Sequence, residues 1–572
     1  MGEDRPLPRS PEALLEQAAA GGQGAALAAR RAAVLAEREN PELALKALAL
    51  VARLEPLDPA PRLAAARLHA EQGNVAAAQA EATTVLREAV DEAARARAAF
   101  MLGEMARMDG DHTAARGHYQ LVMQIEDQLL AGNRGDPTAA RWYARARGRT
   151  AELDASAGAF DRARAGAEGA LAMLRATAAQ IGETPALAAD IADAELRLGA
   201  LELDSNEADS ARRRFGEAIG RYEALAVTEK SEPHWRAVLA DAWALAAEAE
   251  YVRGRAEKAR EAMDLALAAR IRLAARDPDE AWGLAGVWRI RAALRAALND
   301  KDAATDSLAQ ARALTETLAA RAGHTEMPTR FFVRTLVDQA DHALRRGDLN
   351  LAREAADTAR MEAQRFAAKP DALPIWISDA ASCWDRLGEV ARAAPANDKA
   401  QDAFARAVEF RRMALEREPN NDAALRALGG ALLKLGEAAL QTGAVQSARA
   451  ALHESLDIRL RFLDAAPEDP RALLHVAAAL ERLGLAAFAE GDRTSARNAW
   501  EEELLLAARI FSARDSLEAI RFRAIVEAHL TGVGGPNSEA HRLSALQGFD
   551  ALAKAGVLTT REAALRKKLW GA

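Results

Sequence analysis

The 572-residue sequence has one cysteine, few aromatic residues and few β-branched residues. The single cysteine, Cys383, excludes an intramolecular disulfide framework and leaves no cysteine cluster for zinc, which suits a reducing compartment. Aromatic residues make up only 5% of the chain, and alanine and leucine dominate its apolar half. Because alanine and leucine are the best helix formers, this composition predicts an all-α protein.

The sequence also has no strong charge of either sign and no long apolar run. The formal net charge of -8 is small for this length, and it disfavours nucleic acid as the main partner because that partner calls for a basic face. The first ten residues, "MGEDRPLPRS", lack the layout of a signal peptide. No apolar run approaches the roughly 18 residues that span a bilayer. We therefore expect a cytoplasmic protein that does not bind a membrane.

Sequence motifs for catalysis are missing as well. The chain has no GxxxxGK[ST] phosphate loop, no GxSxG elbow, no HExxH pair and no EF-hand loop. Its ten histidines are scattered, and Cys383 has no histidine near it in sequence. We expect no catalytic residues, no metal ligands and no cofactor. An enzyme of unrecognised type stays open as a third alternative, and it would need a pocket of converging titratable groups within residues 513–572.

A repeat runs through most of the chain, marked by one turn position per unit. The spacing between neighbouring units is 34, then 37, and mostly 48 after that. The turn positions are Glu39, Gly73, Gly110, Gly158, Asn206, Gly254, Asn299, Gly347, Pro395, Gly443 and Gly491. Glycine and asparagine in most of these places indicate helix ends, and we expect eleven units.

Two columns of small residues flank the turn, and we call them the small columns. Seven residues before the turn stand Ala32, Ala66, Gly103, Ala151, Gly199, Ala247, Ala292, Ala340, Gly388, Gly436 and Gly484. Five residues after it stand Ala44, Ala78, Ala115, Ala163, Ala211, Ala259, Ala304, Ala352, Ala400, Ala448 and Ala496. Every residue is alanine or glycine, which predicts a close crossing of two antiparallel helices in each unit.

A third column, nine residues after the turn, is often bulky. Its large members are Leu48, Tyr119, Phe215, Met263, Leu308, Phe404, Leu452 and Trp500. The position three further on is mostly alanine again. Small, large and small residues at steps of four and three lie on one face of a helix.

These columns resemble the tetratricopeptide repeat. Trp384, Leu387 and Gly388 match the first helix of that family, and Ala400, Phe404 and Ala407 match the second. The resemblance covers roughly residues 25–510, and it implies a right-handed α-solenoid of antiparallel helix pairs. The 48-residue period adds about fourteen residues to the family's 34, as in long bacterial repeats of this type. We therefore expect helices of about 20 residues and about 30 Å.

The ends of the chain depart from the repeat. Residues 1–24 contain "AGGQG" and predict a short lead-in helix with a flexible segment. Residues 25–512 form the predicted solenoid. Residues 513–572 hold three helical stretches without the small columns, and we interpret them as a C-terminal cap. A small docking module is the alternative interpretation of that segment.

The resemblance also implies a function. In the family, a partner binds the concave face of the first helices, through positions one residue after and three residues before the first small column. The corresponding residues here are Glu152, Glu248, Arg289, Asp341, Asp385, Glu389, Glu437 and Glu481. This set is mainly acidic, so we expect a basic or mixed-charge protein or peptide as partner. The family's clamp for a C-terminal carboxylate needs lysine and asparagine at these places, and they are missing.

Three functions remain open from the sequence. The leading hypothesis is a non-catalytic scaffold or regulatory partner that holds another protein. The second is a sensor of peptide or ligand that changes superhelical pitch on binding, and the third is the enzyme already mentioned. The sequence leaves the oligomeric state open.

The repeat register leads to a first prediction. Ala448→Leu should overpack a helix crossing and lower the free energy of unfolding by ~1–3 kcal/mol. A leucine in place of a surface alanine should leave stability nearly unchanged. Melting curves of the two variants measure the difference, and identical curves would mean that the register is wrong.

Overall fold

The computed structural model describes residues 10–37, 39–72, 74–133, 135–228, 234–511 and 516–570. Within these ranges the protein is all-α, as predicted, and no strand is present. A single 3-10 turn, Pro278–Glu280, interrupts the helical order. The helices are α1 (Pro11–Ala19), α2 (Ala25–Ala36), α3 (Pro41–Leu54), α4 (Ala60–Glu71), α5 (Val75–Glu88), α6 (Glu92–Asp109), α7 (His112–Gly132), α8 (Pro137–Ser156), α9 (Phe160–Ile181), α10 (Pro185–Asp204), α11 (Ala208–Thr228), α12 (His234–Val252), α13 (Ala256–Ala274), α14 (Ala281–Ala297), α15 (Lys301–Arg321), α16 (Glu326–Arg346), α17 (Leu349–Ala367), α18 (Pro374–Ala393), α19 (Asn397–Arg417), α20 (Asp422–Gln441), α21 (Val445–Ala465), α22 (Pro470–Glu490), α23 (Arg493–Ile510), α24 (Leu517–Val533), α25 (Ser538–Lys554) and α26 (Thr560–Trp570).

The helices form antiparallel pairs, one for each predicted unit. Each even-numbered helix from α2 to α14 and from α18 to α22 packs against the odd-numbered helix that follows it. Ala343 of α16 and Ala352 of α17 lie in one hydrophobic cluster, which gives the remaining pair. The eleven predicted units are therefore confirmed, with an even-numbered first helix and an odd-numbered second helix in each. From α6 to α23 the helices have 17 to 22 residues, as the long period predicts.

The turn positions carry a left-handed backbone. The glycine and asparagine turn residues from Gly110 to Gly491 have a positive φ, between 60° at Asn299 and 88° at Gly491. The next residue then closes the helix end, as when the amide of Ala444 donates to the carbonyl of Ala439 at 2.8 Å. Glycine and asparagine tolerate this conformation, and this explains why the column contains them. The turn position Gly73 lies outside the described residues.

The glycines of the first small column make room for the largest side chains of the bulky column. A Cβ atom on Gly388 would lie 2.5 Å from Cε1 of Phe404, and one on Gly484 would lie 2.2 Å from Nε1 of Trp500. The five such pairs are Gly103–Tyr119, Gly199–Phe215, Gly388–Phe404, Gly436–Leu452 and Gly484–Trp500. Where the column has alanine, the opposite residue is no larger than leucine or methionine. The two columns are therefore complementary in volume.

A further antiparallel pair follows the eleven units. Helices α24 and α25 pack against each other, and a Cβ atom on Gly548 would lie 2.8 Å from that of Ala524. Helix α26 contacts both. One hydrophobic cluster joins Trp500 of α23 to Val526 and Leu530 of α24. The pair α24–α25 therefore continues the stack of helix pairs. The proposed boundary near residue 513 falls outside the described residues.

The chain divides into two compact units, Met1–Pro328 and Thr329–Ala572. The division falls near the start of α16, in the middle of the predicted solenoid. The repeat columns do not signal it, because Ala340 and Ala352 continue the small columns directly after it. We call these units the N-terminal unit and the C-terminal unit.

Helix α22 is long and apolar enough, by length and composition, to cross a membrane. Of its most apolar window, 56% is buried against the rest of the protein. Its apolar residues include Leu473 and Leu480, which lie in a cluster between α21, α22 and α23. A buried core helix in a helical stack can have the same length and apolar composition. This finding is therefore weak evidence for a membrane span.

The volume match between the columns can be tested at Gly388. Gly388→Ala should lower the free energy of unfolding by about 1–3 kcal/mol, because the new methyl group meets the Phe404 ring. In an unobstructed helix the same change stabilises by about 0.5–1 kcal/mol, so the sign of the effect is diagnostic. Urea unfolding measures the difference.

Gly430, in the next first helix, α20, is the matched control. A Cβ atom there would have no neighbour within 4 Å, so Gly430→Ala should be neutral or stabilising. The double variant Gly388→Ala, Phe404→Leu should recover part of the loss. If Gly388→Ala stabilises as much as Gly430→Ala, the proposed contact with Phe404 is wrong.

Candidate binding surface on the first helices

The first helices of successive repeats contact each other. In the N-terminal unit these contacts run from α4 through α6, α8, α10 and α12 to α14, and in the C-terminal unit from α18 through α20 to α22. Successive second helices make no comparable contacts within the described ranges. The first helices therefore form a continuous surface within each of these runs, which we call the first-helix face.

A regular row of ion pairs crosses the first-helix face. In each pair, a basic residue two positions before the first small column meets an acidic residue one position after that column in the preceding repeat. The five pairs are Arg149–Glu104 at 2.9 Å, Arg197–Glu152 at 2.6 Å, Arg386–Asp341, Lys434–Glu389 at 3.2 Å and Arg482–Glu437 at 2.6 Å. The partners are always 45 residues apart in sequence. We call this row the ion-pair ladder.

The ladder changes the electrostatics of the acidic residues that the sequence analysis selected. Burial opposes ionisation of Glu152, but Arg197 and Arg149 outweigh it and lower the pKa of this carboxyl group. At Asp341, burial wins over Arg386 and raises the pKa. Both acids lie between neighbouring helices, where an ion pair holds the helices in register as well as balancing charge.

Other basic side chains balance the remaining acids in the C-terminal unit. Arg392 pairs with Glu389 and lies 3.3 Å from Glu437, so it bridges two repeats. Glu481 pairs with Arg482. The expectation of a mainly acidic surface therefore needs correction, because these acids each have a basic partner. The surface that results is one of mixed, balanced charge.

Asp385 lies inside the protein instead of on the contact surface. It is 5% exposed, and its carboxylate accepts a hydrogen bond from Arg411 of α19 at 2.5 Å. This burial corrects the prediction that Asp385 is a contact residue, because its side chain points between the two helices of one repeat. Arg289 is partly exposed on α14.

Glu248 is the exception among the predicted acids. It is partly exposed on α12, and it forms no ion pair with any residue in the described ranges. Burial and the nearby Asp204 raise the pKa of its carboxyl group. The place that a basic residue fills in the ladder is taken by Ile290 in the following first helix.

Tyrosines of the second helices reach the same surface, which the sequence analysis did not predict. The hydroxyl group of Tyr119 donates to Glu104 at 2.5 Å, and that of Tyr222 donates to Asp193. Burial raises the pKa of both phenols, so they remain hydrogen-bond donors. The sequence carries a signal for Tyr119, because it is a bulky-column residue with a hydroxyl group that opposes a glycine.

Buried polar groups also meet around Trp500. The Trp500 indole N–H donates to the carbonyl of Glu481 at 3.3 Å, and the His529 ring stacks on the indole with centroids 4.9 Å apart. Glu503 is 3% exposed, and burial together with the Glu481 charge raises its pKa to about 9. Burial lowers the pKa of His529. These groups come from α22, α23 and α24 and pack where the three helices meet.

No group of three or more histidine, cysteine, aspartate or glutamate side chains is placed to hold a metal ion in the part of the chain that the structure describes. Cys383 is fully buried in α18, and burial raises the pKa of its thiol. A buried, protonated thiol is a poor nucleophile.

No protein-family model and no curated protein sequence matches the chain. Among solved structures, it is similar to yeast Tom70, with 13% identity over 88% of this chain and 95% of that chain, at a TM-score of 0.41. It is also similar to the apo form of RapI, with 9% identity over 66% of this chain and 97% of that one, at 0.43. For the human IFIT1 dimer with m7Gppp-AAAA the identity is 13%, covering 87% and 94%, at 0.38.

The buried Glu503 leads to a prediction about pH. Its folded-state pKa of about 9 lies far above the usual value for glutamate, so the folded protein keeps a proton that the unfolded chain releases between about pH 5 and pH 9. The free energy of unfolding should therefore fall as the pH rises through this range. Glu503→Gln should remove this fall and stabilise the protein at pH 8 by about 1–3 kcal/mol.

Urea unfolding between pH 5 and pH 9 measures the effect, and Glu501→Gln is the control because Glu501 is an exposed acid on the same helix. The difference between wild type and Glu503→Gln should grow with pH, whereas the control difference should stay constant. A constant difference for Glu503→Gln would show that this carboxyl group does not titrate in that range.

Proposed function

We propose that this protein is a non-catalytic scaffold whose first-helix face holds a segment of another protein. The observation that carries the proposal is the run of contacts between first helices, which produces a continuous surface that second helices do not form. The ladder ties these helices together before any partner arrives. A surface organised in advance loses less conformational entropy on binding.

The charge pattern supports a partner of mixed charge. Acidic and basic side chains alternate along the ladder, so a segment with both signs can match it, and a uniformly charged segment meets repulsion at every second position. The proposal also includes two expectations from the sequence. The first is that the repeats are long tetratricopeptide repeats, and the second is that the protein is located in the cytoplasm. The buried thiol of Cys383 is compatible with that location.

A binding role fits the side chains better than catalysis does. Most ionisable groups of the first-helix face are occupied by partners within 4 Å, and the perturbed groups around Trp500 are packed between helices. Catalysis needs a group of this kind to reach a reacting atom. Binding of a partner needs only that the outer atoms of these ion pairs remain accessible to it.

Site-specific photo-crosslinking in the organism that encodes the protein tests the proposal. The photoreactive residue p-benzoylphenylalanine replaces either Ala293 of α14 or Arg345 of α16, both exposed on first helices. The matched controls carry it at Leu265 of α13 or Met361 of α17, which are exposed on second helices. Crosslinked proteins are then identified by mass spectrometry.

We expect the first-helix positions to capture a defined protein partner that the second-helix positions do not. Melting curves must show that all four variants fold, since a misfolded helix captures proteins without specificity. Capture at Leu265 and Met361 alone would move the binding surface to the second helices. Capture of no protein at any position would overturn the scaffold function.

A further inference from the structure

The ion-pair ladder is incomplete at several junctions, and at one of them an acid lacks its basic counterpart. At five places the acid that follows the first small column pairs with a basic residue from the next first helix. Between α10 and α12 both positions are apolar, Ala200 and Leu245, so no charge is left over. Between α12 and α14 the acid is present as Glu248, but Ile290 stands where the base belongs.

The surroundings of Glu248 combine negative charge with apolar surface. Asp204 at the end of α10 adds to the negative potential at Glu248. Leu245 lies one helical turn before Glu248 and is only partly buried, and Ile290 of α14 is partly buried as well. One turn after Glu248, Tyr251 and its neighbour Val252 are 36% and 46% exposed.

We propose that Glu248 is the docking point for a lysine or arginine side chain of the partner segment, with apolar partner residues packing on Leu245 and Ile290. This inference rests on the proposed scaffold function and gives it a location and a partner chemistry. The partner is a peptide segment with a basic residue next to apolar ones. Its cation takes the place that Arg149, Arg197 or Arg482 takes elsewhere in the ladder.

The molecule itself supplies the argument for a cation. In four of the five complete rungs, a guanidinium or ammonium group lies 2.6 to 3.2 Å from the carboxylate, so first helices packed in this way leave space for such a group. A carboxylate that is partly buried without a partner is unfavourable, and a charge-assisted hydrogen bond from a ligand relieves this. At Glu152 and Glu437, an arginine side chain of the same chain already forms this charge-assisted contact.

The apolar neighbours select the rest of the segment. Isoleucine at position 290 puts a partly buried apolar side chain at the ladder position that elsewhere carries a cation. A long basic side chain places its methylene groups on such a surface while its charged end reaches the carboxylate. Simple basic peptides without apolar residues should therefore bind less well than mixed ones.

A phage-displayed library of random 12-residue peptides is the probe for this site. The full-length protein is immobilised, the enriched peptides are sequenced, and the affinities of synthetic copies are measured by fluorescence polarisation. We expect enrichment of lysine or arginine beside leucine, isoleucine or phenylalanine. The selected peptides should lose affinity by about tenfold to a hundredfold with Glu248→Gln, as expected for one charge-assisted hydrogen bond.

Two further variants sharpen the test. Ile290→Arg restores the ladder pattern and should compete internally for Glu248, so it should weaken peptide binding while lowering the pKa of Glu248 in a carboxyl NMR titration. Glu261→Gln removes an exposed acid of the second helix α13, away from the first-helix face, and should change peptide affinity less than about twofold.

The outcomes separate this inference from the scaffold function. Peptides that bind equally well to wild type, Glu248→Gln and Ile290→Arg would overturn the docking point and leave a scaffold that binds elsewhere. Enrichment of acidic peptides, or of none, would overturn the proposed partner chemistry, while crosslinking at Ala293 or Arg345 decides the scaffold function independently. Concentration-dependent self-association that Glu248→Gln abolishes would assign the site to a second copy of this chain and overturn the inference.

Discussion

The close crossing of two helices in each repeat is the constraint on which the rest of the structure depends. Alanine or glycine at both small columns lets the helices approach until the larger side chains interlock around the crossing. Where glycine occupies the first column, a tyrosine, phenylalanine, leucine or tryptophan fills the space opposite, as Phe404 does above Gly388. The backbone geometry is therefore repeated although the individual side chains differ.

That repeated geometry also produces the electrostatics of the surface. Because each repeat places its first helix in the same relation to the one before, residues 45 apart meet at the same separation again and again. An acid and a base at these two positions can therefore form an ion pair at each junction with this geometry. Between α12 and α14 the repeat is three residues shorter than most, and Ile290 stands in the ladder position of the base that would pair with Glu248.

Much of the fold could be predicted from sequence, and less of the surface. Turn residues, small columns and bulky residues are local patterns with a helical period, so the helix pairs and their ends follow directly from them. The ladder joins residues in different repeats, and its regularity is visible in the sequence only after the first helices are placed side by side. For that reason the acids looked like a free acidic surface, although Arg392 and Arg482 balance Glu437. The three helical stretches of residues 513–572 were predicted, but the packing of α24 against α25 was not, because the repeat columns end before them.

The sequence by itself determined the class of the fold, the number of repeats and the position of each turn, since these depend on backbone preferences and side-chain volumes that act within one helix pair. The tertiary structure decided which charged residues remain available to a partner. Asp385 and Glu248 are both acids on first helices near the same column, yet one is buried against Arg411 and the other is partly exposed without a cation. The difference arises from what the neighbouring helices bring to each carboxylate, and no local pattern contains that information.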